Sequence, residues 1–366
     1  MTPTSSGAQD LGDNGTVATT YIGGSGADTL TLNTAVTSVN TGAGDDVMTT
    51  SVVATTTAGA IAAGNGTDTL IVAAAGDVNS SAKRSVYDGF EKLDNATAAA
   101  LAANGFTGIT SVISSADGGG FTGLTATQAA AVTVTGDQTA VTYALATAAG
   151  TSDVLSVTLK NGTASASADL AGATVTGFET LNLTSSSGNV NETNAAANMI
   201  SFTAAANLEN INVGGAFATY LILDNTASAV TVANTLSGTA ALKIEGEVIK
   251  GSSITTTANG DTIETALAAV AGVSGEYVTY DAGADDDAIT TSLTALNNTN
   301  SSAASLKIGG GAGVDTLRFA AADVSFVDSN FQFVTGVEKL TIASTTSLSM
   351  ATGGYFDTNF KESGVT

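Results

Sequence analysis

The residues in this chain best suited to chemistry are aspartates placed behind glycines, and the arrangement recurs. GGSGADTLT runs from Gly23 to Thr31 and sets Gly24, Gly26, Asp28 and the apolar Leu30 two residues apart. NTGAGDDVMT (40–49) repeats the spacing with Gly42, Gly44, Asp46 and Met48, and adds Asp45. AAGNGTDTLI (62–71) repeats it again with Gly64, Asn65, Gly66, Asp68 and Leu70. Near the other end GGGAGVDTL (309–317) supplies Gly311, Gly313, Asp315 and Leu317. Two looser copies precede it. One surrounds Asp261, with Asn259 where a glycine is expected, and the other is GADDDAI (283–289), with Gly283, Asp286 and Asp287 and with Asp285 in a glycine's place.

Glycines let the backbone bend tightly enough to turn carbonyl oxygens inward, the aspartate adds a carboxylate, and the apolar residue two places on enters a strand. A hard, oxygen-only donor set of this kind suits Ca²⁺, which takes six to eight oxygens. One turn cannot supply that many, so the ligands must come from adjacent turns. A single Gly-Asp turn is more often a plain β-turn than a metal site. Clustering, duplication and an excess of acid tip the reading towards several Ca²⁺ ions held by the residues named above. TSDVLSV at 151–157 keeps Asp153 without the glycines and reads as an ordinary turn.

The elements that position such turns are short strands. One Pro and 42 Gly stand in a chain of 366 residues, and 43% of its residues are apolar. Small and β-branched side chains dominate, which suits stacked sheet layers. Alternation is plain in LSVTLK (155–160), TLNLTS (180–185), YLILDN (220–225) and ALKIEG (241–246), as expected of strands with one buried face. Helical periodicity is weak, with short candidates at 125–132, 194–198 and 264–272. The expected fold is all-β, an irregular parallel β-roll or β-solenoid with RTX-type calcium-binding turns. The pattern G-G-x-G-x-D-x-U-x normally recurs every nine or eighteen residues. Here the aspartates stand 18 and 22 apart at one end and 26 and 28 at the other, so longer strands or loops must intervene.

Three zones follow: an RTX-like segment at 1–97, an Ala/Thr/Val-rich solenoid at 98–250, and a second RTX-like segment at 251–366. The flanking zones echo each other, since Asp68 precedes Glu91 by 23 residues and Asp315 precedes Glu338 by 23. The closing element recurs at Glu179 and Glu209. These four glutamates read first as residues that cap or pin an edge strand, and second as metal ligands.

The formal charge is −23. That argues against nucleic acid, which demands a cationic face, and a compact acidic chain repels itself unless cations neutralise it. No apolar run approaches the length of a membrane span, so membrane insertion is not expected. The start of the sequence lacks the pattern of a cleaved leader peptide. Without Cys there are no disulfides or thiolate sites, and without His there is neither a zinc-protease helix nor a Ser-His-Asp triad. Paired carboxylates such as Asp285 and Asp287 fall inside a metal-type turn. The chain does not read as an enzyme.

The run GGSGADTL, GAGDD, GNGTDTL, DGFEKL, then ANGFTGITSV (103–112) and GTSDVLSVTLKNG (150–162) with GFETLNL, resembles the C-terminal region of Caulobacter-type RTX surface-layer proteins. The similarity extends over about residues 20 to 345. It implies an extracellular, Ca²⁺-dependent two-dimensional lattice of identical subunits, exported by type I secretion. It also implies a tie to cell-surface lipopolysaccharide through a helical region that this sequence does not show. The alternative reading is a stalk or ligand-binding module of a secreted RTX adhesin.

Overall fold

The structure is a computed structural model, which describes residues 19–148, 150–161, 166–188, 197–246, 248, 251–256, 259–265, 277–296, 305–319, 325–343, 349–351 and 353–360. It divides into two compact units, residues 1–158 and 159–366. Each is a parallel β-solenoid, as the sequence led us to expect: among the described residues neighbouring strands run parallel, and the chain climbs one turn between paired strands.

In the first unit, the strands Thr19–Ile22, Val36–Ala43, Ile61–Asn65 and Tyr87–Asp88 form one parallel sheet. The strands Thr29–Thr31, Val47–Thr49, Thr69–Val72 and Lys92–Asn95 stack in a second. Each Gly-Asp turn joins a strand of the first sheet to one of the second. The apolar residue two places after each aspartate faces inward, as does Leu93 two places after Glu91, so Leu30, Met48, Leu70 and Leu93 lie over one another in register. The column is 6% exposed at Leu30 and fully buried from Met48 onward. Burying an aliphatic side chain of this size contributes roughly 1.5–3 kcal/mol. Because strand side chains alternate, a slip of one residue would turn the whole column to solvent, which locks the register.

The second unit repeats the plan over more turns. Leu181, Ile211, Val232, Ile254, Tyr280, Ile308 and Val334 form one inward column. Ile200, Leu221, Ile244, Ile263, Ile289, Leu317 and Leu340 form another. Phe319, Phe326, Phe331, Phe356 and Phe360 pack ring on ring, with centroid separations of 4.7 to 6.0 Å, over the last described turns of this unit.

Helices are short. The expected one near 125–132 is Ala126–Ala129, held by a capping box between Thr125 and Gln128. Of the other two, residues 194–196 and 266–272 lie outside the described residues, while Asn198 begins the strand Asn198–Ala204 and Glu264 ends the strand Thr262–Glu264. The helices Ser81–Arg84, Leu293–Leu296 and Gly354–Phe360 had no clear periodic signal, because runs of four to seven residues are too short to show one. Among the described residues no helix is long and apolar enough to cross a membrane.

Candidate metal centre

Stacking one turn on the next places a carbonyl of the lower turn directly against the glycine of the upper. A Cβ on Gly42 would lie 2.3 Å from the carbonyl oxygen of Gly24, and one on Gly64 would lie 2.1 Å from that of Gly42. One on Gly66 would lie 2.0 Å from the carbonyl of Gly44. These glycines also have φ of +104°, +107° and +151°, a region that other residues rarely enter. The same contact recurs in the second unit, where Gly311 meets the carbonyl of Gly283 and Gly313 meets that of Asp285, each at 2.0 Å. Asp285 has φ +88° and therefore adopts the glycine conformation its position suggested. Asn259 is buried and donates from Nδ2 to the carbonyl of Ala240 at 2.9 Å.

The aspartates form a ladder. The backbone N–H of Asp28 donates to Oδ1 of Asp46 at 2.7 Å, that of Asp46 to Oδ1 of Asp68 at 2.7 Å, and that of Asp68 to Oε2 of Glu91 at 2.8 Å. In the second unit Asp261 donates to Asp287 at 2.6 Å, Asp287 to Asp315 at 2.8 Å, and Asp315 to Oε2 of Glu338 at 2.9 Å. The two series agree in detail. In each, the amides of the closing glutamate and the following lysine donate to the carbonyl of the last aspartate, at 3.2 and 2.9 Å in the first unit and 3.1 and 2.9 Å in the second. Glu91 and Glu338 thus hold the last rung of each ladder, although the strand Lys92–Asn95 that follows Glu91 is not the edge strand the sequence suggested, because it pairs with Thr69–Val72 on one side and Ser111–Ser114 on the other. Their longer side chain reaches the same N–H from a shorter turn that keeps one left-handed glycine two residues earlier, Gly89 at φ +75° and Gly336 at φ +61°.

All six aspartates are at most 2% exposed. What distinguishes the rungs is the second carboxylate oxygen. At the foot of each ladder it accepts from a neutral donor: Tyr21 Oη to Asp28 Oδ2 at 3.3 Å, and Asn234 Nδ2 to Asp261 Oδ2 at 3.4 Å. Oδ2 of Asp46, Asp68, Asp287 and Asp315 is buried and has no hydrogen-bond partner. The ion pair found among the described residues is Lys243 with Glu245, at 3.6 Å, and it touches none of these. Burial, together with the neighbouring acids Asp46, Glu91 and Asp45, pushes the Asp68 carboxyl up to about 6. Burial, then Asp261, Asp315 and Asp285, pushes Asp287 up to about 8, and burial raises Asp315 as well. An unpaired buried carboxylate costs several kcal/mol, on the order of a charge left in a low dielectric without a counter-ion.

A cation against these oxygens would relieve that cost, and the donors fit Ca²⁺. The four bare carboxylate oxygens are hard donors, and a turn carbonyl that accepts one hydrogen bond keeps a second lone pair for a cation. Among the described residues no three acidic side chains converge on one point, so most ligands would have to be backbone carbonyls. The remaining acids lie outside the ladder. Asp45 and Asp286 are exposed, and each accepts from the next turn's backbone, Asp45 from Thr67 and Asp286 from Val314, both at 2.9 Å. Asn65 is exposed beside them, with its carbonyl taken by the N–H of Gly44. Glu179 and Glu209 contribute backbone carbonyls to the next turn. The role of Tyr21 and Asn234 as neutral feet was not visible in the sequence, since neither sits inside a Gly-Asp motif.

A scan against models of protein families found no match, and searches of curated proteins and of solved structures found none either.

Proposed function

We propose that this chain is a calcium-dependent structural protein that forms a two-dimensional surface-layer lattice on a bacterial cell, outside the membrane. The observation that carries the calcium part is the row of bare, buried Oδ2 atoms on Asp46, Asp68, Asp287 and Asp315. Those oxygens, with the carbonyls of Gly24, Gly42, Gly44, Gly283, Asp285 and Gly311, would hold the ions. Bound Ca²⁺ supplies the positive charge that the stacked turns lack, so ion binding and turn stacking become one event. Outside a cell, where Ca²⁺ is plentiful, the turns lock; where it is scarce, like charges keep them apart. The lattice part is supported by the resemblance and by the absence of His and Cys, which removes the commonest catalytic groups from a chain of this length. Subunits that tile a plane need head-to-tail contacts that do not close.

A Ca²⁺ titration of the full chain, followed by calorimetry and negative-stain microscopy, tests both parts. We expect the melting temperature to rise, each ion contributing about 2.7 kcal/mol at a hundred times its dissociation constant, and ordered sheets to appear. An unchanged melting transition overturns the calcium reading. A raised transition with particles that stay single leaves calcium in place and points instead to an adhesin stalk.

A further inference from the structure

A groove on the outer face of the second unit has the chemistry of a sugar subsite. It encloses about 590 Å³ and runs along the strands Tyr277–Asp281, Ser305–Gly309 and Val334–Thr335. Pairing sets Asp281 beside Gly309 and Gly309 beside Thr335, so these three outward positions form one row across the strands. The middle position has no side chain. A Cβ built there would lie 3.8 Å from Oδ1 of Asp281 and 3.8 Å from Oγ1 of Thr335, with nothing nearer. The glycine therefore leaves a slot walled by a carboxylate and a hydroxyl. Its own backbone does not require glycine, since its φ lies outside the left-handed range, and space is the remaining structural use for it. Lys307 and Gln332 add exposed polar ends along the rim. Phe333 adds an aromatic wall, fixed edge-on by Tyr277 at 5.1 Å, and Lys307 Nζ lies over the Tyr277 ring at 4.0 Å.

We infer that this groove binds a neutral pyranose, with two ring hydroxyls bridging Asp281 and Thr335 above Gly309 and the ring's C–H face against Phe333. A carboxylate accepts from two hydroxyls at once, the Thr335 hydroxyl, which donates to the carbonyl of Ile308 at 3.5 Å, accepts from one, and a glutamine amide both donates and accepts. A few convergent polar groups beside an aromatic wall fix orientation, while the wall supplies apolar contact. Hydroxyl-rich ligands match this set better than anions, because Asp281 stands against the lysine's charge. The groove also borders Gly311 and Gly336 of the adjoining turns, but Asp281, Gly309 and Thr335 are not among the proposed ion ligands, so the inference needs calcium only for the chain to be folded.

Saturation-transfer NMR on the full chain in calcium buffer, with the methyl pyranosides of glucose, galactose, mannose and N-acetylglucosamine as probes, tests this. We expect transfer to at least one. Asp281→Ala should weaken it about tenfold, the worth of one hydrogen bond to a charged group. Gly309→Val should abolish it by filling the slot, with the melting temperature unchanged to show that the fold persists. No transfer to any of the four sugars overturns the proposal, and so does transfer that neither variant reduces.

Discussion

The acid-laddered turns and the turns of the central stretch solve the same problem in opposite ways. Both must hold a tight bend against the turn below. At the border of the central stretch and within it, neutral amides do it: Asn95 Oδ1 accepts from the N–H of Thr97 at 3.0 Å while its Nδ2 donates to the carbonyls of Ala99 and Gly120 at 2.9 and 2.8 Å. Asn198 accepts from Ala168 at 2.7 Å and donates to the carbonyl of Ser187 at 2.6 Å and to the hydroxyl of Ser185. An amide presents both a donor and an acceptor, and at these two asparagines both are used within the protein. A carboxylate only accepts, and in the interior rungs it does so with one oxygen, leaving the other bare. If stacking alone were required, asparagine would serve at Asp46, Asp68, Asp287 and Asp315. The proposed cation would account for aspartate there.

Three experiments sharpen this contrast. The largest effect is expected from glycine. Gly66→Ala places a methyl 2.0 Å from a carbonyl at φ +151°, and should cost more than about 3 kcal/mol, with or without calcium. Gly136 also has a positive φ, +75°, but nothing lies within 4 Å of its missing Cβ, so Gly136→Ala should cost only about 1–2 kcal/mol. Urea melts of the two variants would show whether close stacking, rather than the bend itself, is the dominant constraint; equal losses would refute that.

Next come two exchanges between the turn types. Asp68→Asn removes a buried charge but keeps an acceptor for the N–H of Asp46. In chelator it should be neutral or stabilising, and in Ca²⁺ it should lose about 2.7 kcal/mol, the contribution of one ion. Asn198→Asp deletes two donors and aims a carboxylate at the carbonyl of Ser187, at a cost of about 1–3 kcal/mol that calcium does not repair. Thermal melts of both variants in both buffers would settle the matter, and a calcium response unaltered by Asp68→Asn would contradict the ladder's role.

The last contrast is the dependence on pH. A carboxyl whose pKa is raised by folding stabilises the folded state while protonated. That contribution is complete below the unfolded value, ~4, and is lost as pH rises through about 6 for Asp68 and about 8 for Asp287. Chelated protein should therefore melt higher at pH 5 than at pH 8. Calcium keeps the carboxylates ionised and should reverse that order. Scanning calorimetry at the two pH values reads it directly, and the same slope in both buffers would count against metal at these rungs.

Local sequence determined much of this molecule. The glycine positions fix where the chain bends, the aspartate follows two residues later, and the next apolar residue must enter the core, so the inward placement of Leu30, Met48, Leu70 and Leu317 follows from spacing alone. The 23-residue interval from Asp68 to Glu91 and from Asp315 to Glu338 likewise announced a repeated closing rung. Tertiary structure decided the rest: that Oδ1 is spent on the neighbouring turn while Oδ2 stays bare, that Tyr21 and Asn234 complete the lowest rungs, and that Asp45 and Asp286 face outward. These outcomes depend on which residues of turns 18 to 28 positions apart come to lie over one another. That register is set by parallel backbone pairing and by the aliphatic columns beneath it, and neither can be read from one turn alone.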